Sequence, residues 1–138
     1  MSKIIIDANT SYEAEYATKA LLKGGFVAQV ARISYNIGHG FPDFGDEENY
    51  PLILEGNFNR YLTKIHVNSV TAGYGGSGPH AMVAILKEAG FQFDEDDILT
   101  DRCANSSREV KLVYYRRWYR KNLRLNCLGF YLFYLFGV

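Results

Sequence analysis

The chain predicts an α+β fold: a mostly antiparallel sheet with two to three helices packed on one face, in a single compact domain. Three observations lead there. Residues 50–70 read as two alternating strands around a turn, the pattern of an antiparallel hairpin. Two other stretches carry an apolar helical stripe and a glycine stop. A length of 138 residues suits one domain able to bury a core. Hydrophobic content of 48% and charged content of 22% exclude a disordered chain.

The elements follow in order. Lys3 to Asp7 contains three consecutive isoleucines and suits a short buried strand. Thr10 and Glu13 have capping-box spacing, so a helix should begin near Ser11. Ala14, Ala17 and Leu21 form its apolar stripe, and Gly24-Gly25 ends it. Phe26 to Tyr35 is β-rich and reads as a second strand. Residues 36–49 are rich in glycine, proline and acid without a period, and read as a long loop. Tyr50–Glu55 and Arg60–Val70 form the hairpin, with Gly56-Asn57-Phe58-Asn59 as its turn. In the second hairpin strand Tyr61, Thr63, Ile65 and Val67 point one way. Arg60, Leu62, Lys64, His66 and Asn68 point the other, which is predicted to be exposed.

A helix over Pro79–Ala89 comes next, with Met82, Val83, Ile85 and Leu86 apolar and Gly90 as its stop. The acids Asp94 to Asp97 are read as caps of a helix over about 95–104, since carboxylates suit its positive end. The EF-hand spacing is missing there, so no metal site is expected. Residues 109–121 fit both a helical stripe and a β-rich strand. Leu128 to Val138 is almost wholly apolar yet shorter than a membrane-spanning helix, so it reads as a buried terminal strand or helix. The segment from about 108 to 138 is expected to pack on the domain or to form a homo-oligomer interface.

Charge divides along the chain. Residues 1–101 hold 7 Lys and Arg against 14 Asp and Glu, while 102–138 hold 8 against 1. The two parts can neutralise each other, or the basic end can face an anionic partner. The run from Arg116 to Arg124 has five positive charges and two aromatics. Nucleic acid is possible there but not favoured, because charge runs alone are weakly specific. Cys103 and Cys127 make neither a disulfide framework nor a zinc pattern. No signal peptide or transmembrane segment is read, which together place the protein in the cytoplasm as an expectation.

Thr71 to His80 is the stretch richest in functional signal. Gly73, Gly75, Gly76 and Gly78 crowd into six residues, and Pro79 follows. Such a loop can bring bare N–H groups close to a ligand, and a helix N-terminus behind it favours negative charge. The same glycines also suit a plain strand-to-helix turn. The spacing matches Gly-x-Gly-x-x-Gly, with Asp94 lying 21 residues past Gly73. Yet the preceding strand is amphipathic, Pro79 opens the helix after the third glycine, and only one such unit exists. A full dinucleotide-binding domain is therefore not expected. A phosphate loop of the Gly-Lys-Ser/Thr type is excluded, because Pro79-His80 stands in that place.

The expected site thus comprises Arg60, Lys64, His66, Asn68, Tyr74, Gly75, Gly76, Ser77, Gly78 and His80. Arg60 and Lys64 supply charge, the loop supplies N–H donors, and Tyr74 offers a stacking face. His66 and His80 are placed to meet near one ligand. No triad or metal-ligand spacing is readable, so catalytic residues are not assigned and no cofactor is expected. Three functions are open. The first is a small cytosolic binding protein for an anionic, phosphate-bearing small molecule, nucleotide-derived in character. The second is a protein-interaction module using an aromatic-rich surface and the apolar C-terminus. The third is a nucleotide-acting enzyme with a histidine acid or base.

Overall fold

In the computed structural model, residues 1–35, 50–100, 110–115, 121–125 and 131–135 are described. The order is β1 (Ser2–Ile6), α1 (Ser11–Lys23), β2 (Val27–Tyr35), β3 (Leu52–Phe58), β4 (Tyr61–Val67), α2 (Ser77–Glu88), α3 (Asp96–Leu99), β5 (Val110–Tyr115), β6 (Lys121–Leu125) and β7 (Tyr131–Leu135). The strands lie side by side as β1-β4-β3-β2-β5-β6-β7. Among the described strands only the β1–β4 pair is parallel; the other pairs are antiparallel. The fold is α+β, with a mixed, mostly antiparallel sheet and three helices among the described residues.

Alternation decides which side of the sheet is the core. Ile33, Leu52, Leu54, Ile65, Val67 and Leu112 turn to one face and are fully or almost fully buried. Against them pack Met82, Ile85 and Leu86 of α2, with Ala14 of α1 and Ile98 of α3. Each large side chain buried in this way contributes roughly 1.5–3 kcal/mol.

Helix α1 starts where its cap predicts. The Glu13 N–H donates to Thr10 Oγ1 at 3.1 Å, and the Glu13 carboxylate accepts from the Asn9 N–H at 3.1 Å. The reciprocal bond therefore closes one residue before the cap itself. Ala14 and Thr18 are buried on the core side.

Three boundaries depart from the sequence expectation. The hairpin turn is Asn59-Arg60, not residues 56–59: both have positive φ, 50° and 74°, as a two-residue type I′ turn requires. Strand β3 therefore runs through Gly56, whose missing Cβ lets the Val27 backbone lie against it beside a bulge in β2. Helix α2 begins at Ser77, so Pro79 stands third in it instead of first. Helix α3 is only four residues long, Asp96–Leu99, because Thr100 is already extended.

The ambiguity over residues 109–121 resolves to strand at Val110–Tyr115, which pairs with β2 across six residues. The expected loop 36–49 with His39, both cysteines, and the aromatic part of the basic run lie outside the described residues. The expected apolar C-terminal element is a strand at Tyr131–Leu135.

Candidate functional site

Strands β1 and β4 run side by side in the same direction, so their ends at Ile6 and Val67 lie together. The chain leaves β1 through Asp7–Thr10 into α1, and leaves β4 through Asn68–Gly76 into α2. Two helix N-termini therefore start from one edge. In α/β sheets this carboxyl edge is where ligands bind. Here both helices pack on the same face, so the crevice that opens between oppositely directed helices does not form.

A polar clasp ties the two strand ends. Asn68 Oδ1 accepts from the Ala8 N–H at 2.7 Å, and Asn68 Nδ2 donates to Asp7 Oδ1. The Asn68 N–H donates to the Ile6 carbonyl at 3.1 Å, and Ser69 Oγ donates to the Ala8 carbonyl. Ser69 holds φ at 63°, a conformation costly for a side-chain-bearing residue and typical of over-determined sites. Asn68 is buried, while Asp7 remains exposed.

Beyond the clasp the loop packs on itself. Gly73 has φ 106°, which glycine alone adopts easily, and its N–H donates to the Ile98 carbonyl at 2.8 Å. That bond ties α3 to the loop. The Tyr74 ring lies over Gly76, where a Cβ would strike it, and its hydroxyl accepts from Thr71 Oγ1 at 2.8 Å. Thr71 Oγ1 in turn fills the space a Cβ at Gly78 would need. Three of the four glycines thus answer needs of the fold. A Cβ would find open space at both Gly73 and Gly75, but Gly73 is held by its positive φ, so Gly75 alone of the four meets neither constraint.

Helix α2 has no side-chain cap. No group among the described residues accepts from the N–H of Ser77 or Gly78. Gly75, Ser77 and His80 are exposed beside them. Gly78 is buried under Thr71, so the leading turn presents the Ser77 backbone and hydroxyl and the His80 imidazole to solvent, with the helix dipole behind them.

The expected site residues separate into those the fold gathers and those it does not. Tyr74, Gly75, Gly76, Ser77, Gly78 and His80 lie together at the start of α2. Asn68 lies at the same edge, committed to Asp7 and Ala8. Arg60 sits in the turn at the opposite end of β4, seven residues before Val67, roughly 23 Å away at strand rise. Lys64 is in mid-strand and lies 3.7 Å from Glu55, which also pairs with Arg32 at 3.0 Å. His66 is fully buried, its ring edge-on to Tyr50 at 5.1 Å. It sits on the sheet face opposite α2, so it does not meet His80. The strand face expected to be exposed is thus buried at His66 and Asn68.

Neither residues 4–18 nor 68–80 contain a lysine or arginine. Within these two segments an anion would meet backbone N–H groups, the Ser77 hydroxyl, the His80 imidazole and the helix dipole, with Asp7 nearby opposing it.

Two features were missed by the sequence reading. Thr71 organises the loop, and no local pattern marks it. Asp97, read as a cap, is buried and accepts from the Tyr114 hydroxyl at 2.8 Å, linking α3 to β5. The capping role belongs to Asp94, whose carboxylate accepts from the Asp96 N–H at 3.0 Å. Among the described residues no group of three or more His, Cys, Asp or Glu could hold a metal ion. No described helix is long and apolar enough to cross a membrane.

Comparison with known proteins finds no family model that matches this chain, no curated protein similar to it, and no solved structure that matches it. The fold and the edge together define an α+β protein with an uncapped helix start at the end of the parallel pair β1–β4.

Proposed function

We propose that this is a small cytosolic protein that binds an anionic, phosphate-bearing small molecule of nucleotide type without transforming it. The observation that carries the reading is the leading turn of α2. It offers the N–H of the exposed Ser77, without a side-chain cap, at the carboxyl edge of β1 and β4. Ser77 Oγ and His80 add a hydroxyl and an imidazole to the same rim. Arg60, Lys64 and His66 are not part of this donor set. With no lysine or arginine in residues 4–18 or 68–80, affinity should be modest and set by geometry.

Titration calorimetry with inorganic phosphate and with a nucleoside monophosphate tests the reading. Wild-type protein should bind one equivalent. Gly75→Val should remove binding while the melting transition stays intact, because a Cβ there meets no protein atom within 4 Å and the added side chain would crowd the approach to the Ser77 N–H. Arg60→Glu should bind as wild type. Absence of heat with either ligand, or unaltered binding by Gly75→Val, would remove this reading. A second reading, a protein-interaction module, is supported by the exposed aromatic face of α1.

A further inference from the structure

Helix α1 turns two large aromatic side chains outward. Tyr12 is 74% exposed and Tyr16 is 71% exposed. Glu13, Ala20 and Lys23 are exposed with them. At 100° per residue these five positions fall within about 100° of the helix circumference, opposite the buried Ala14 and Thr18. This is an aromatic stripe bounded by an acid at the N-terminal end and a base at the C-terminal end.

The stripe is complementary to itself. Turned antiparallel about a two-fold axis passing between Tyr16 and Ala20, each helix sets its residues against the other's in reverse order. Tyr16 then lies over the small Ala20 of the second copy, and Tyr12 lies over its Gly24. Glu13 comes within reach of Lys23 of the second copy, and the symmetry makes that pair twice. Large residues meet small ones and opposite charges meet, as an isologous interface requires. The parallel alternative brings Glu13 beside Glu13 and Lys23 beside Lys23. Glu13 already accepts from the Asn9 N–H through Oε2, and a carboxylate has acceptor capacity for a lysine as well.

The geometry points to self-association through α1: the occupant of this face is the same face of a second copy, in an antiparallel two-fold pair. A single 13-residue helix covers little area, so the pair belongs to the small class below about 1,200 Å², which is weak and transient. Tyrosine anchors at its centre fit such a contact. The inference is independent of the anion reading, because α1's outer face takes no part in the α2 loop.

Sedimentation analysis of the full chain over a wide concentration range tests it. Wild-type mass should rise toward that of a dimer at high concentration. Glu13→Lys places lysine against lysine at both symmetric positions, and Lys23→Glu places glutamate against glutamate. Each variant alone should associate at least about tenfold more weakly, equivalent to 1.4 kcal/mol. Circular dichroism should show both still folded. An equimolar mixture of the two variants restores an opposite-charge pair at both positions, so the mixture should regain the wild-type mass. A wild-type chain that stays monomeric at all concentrations overturns the inference. So do single variants that associate as wild type, or a mixture no heavier than its components.

Discussion

Arg60 holds a backbone conformation that suits glycine better. With Asn59 it forms the type I′ turn of the β3–β4 hairpin, at φ 74°. An L-residue there costs roughly 1–2 kcal/mol, partly offset by glycine's greater freedom when unfolded. Arg60→Gly should therefore stabilise by about 1 kcal/mol in urea denaturation. A loss of stability would show that the guanidinium makes contacts that outweigh the backbone strain. The glycine loop gives an internal contrast at the same scale. Gly78→Ala must displace Thr71 and should cost about 1–3 kcal/mol by overpacking, whereas Gly75→Ala has room and should change stability little. Equal effects of the two on the melting temperature would contradict this division. The glycine pattern in the sequence marks a tight loop but does not say which glycine is spared for a ligand. That distinction depends on Thr71 and Tyr74, whose folded positions are set by contacts outside any local motif.

At the scale of elements, local chemistry was legible where it was self-sufficient. Thr10 and Glu13 announce the start of α1 because both bonds of the box are made within five residues. Thr10→Ala should cost about 1 kcal/mol, measured by thermal denaturation, since a donor of the first turn loses its acceptor. Helix α2 was harder, because Gly76-Ser77-Gly78 has no capping side chain and low helix propensity. Its start is fixed instead by Thr71 packing on Gly78 and by the core contacts of Met82 and Ile85. The strand at Val110–Tyr115 was ambiguous for the same reason. Its helical stripe and its β-rich composition are both real, and pairing with β2 decides between them. Tyr114 ties that strand to α3 through Asp97, with both side chains buried. Tyr114→Phe removes a donor from a buried carboxylate and should destabilise by about 1–3 kcal/mol. A neutral effect in denaturant unfolding would mean that other groups satisfy Asp97 equally well.

Across the whole molecule, the order β1-β4-β3-β2-β5-β6-β7 explains why the expected site divided. A strand read alone places Arg60, Lys64, His66 and Asn68 on one side, and alternation holds for Lys64 and His66, the two that lie within β4. Only the topology shows that the two ends of β4 face different neighbourhoods, and that the side bearing His66 is covered there. The same order places β5 inside the sheet, hydrogen-bonded to β2 on one side and β6 on the other. Truncation after Asn122 deletes most of β6 and all of β7. It would leave β5 with an unpaired edge directly beside the core strands, where Leu112, Val113 and Tyr114 are buried. Unpaired, apolar strand edges recruit other chains. The removed segment also carries Leu125, Leu128, Phe130 and residues 131–136, none of them charged. Losing several such side chains from a fold worth only about 5–15 kcal/mol leaves little margin. The truncated chain should therefore express as insoluble protein or elute as large aggregates in size-exclusion chromatography. A soluble truncation that melts cooperatively near the full-length temperature would show that strands β1 to β5 fold on their own and that β6 and β7 serve another purpose.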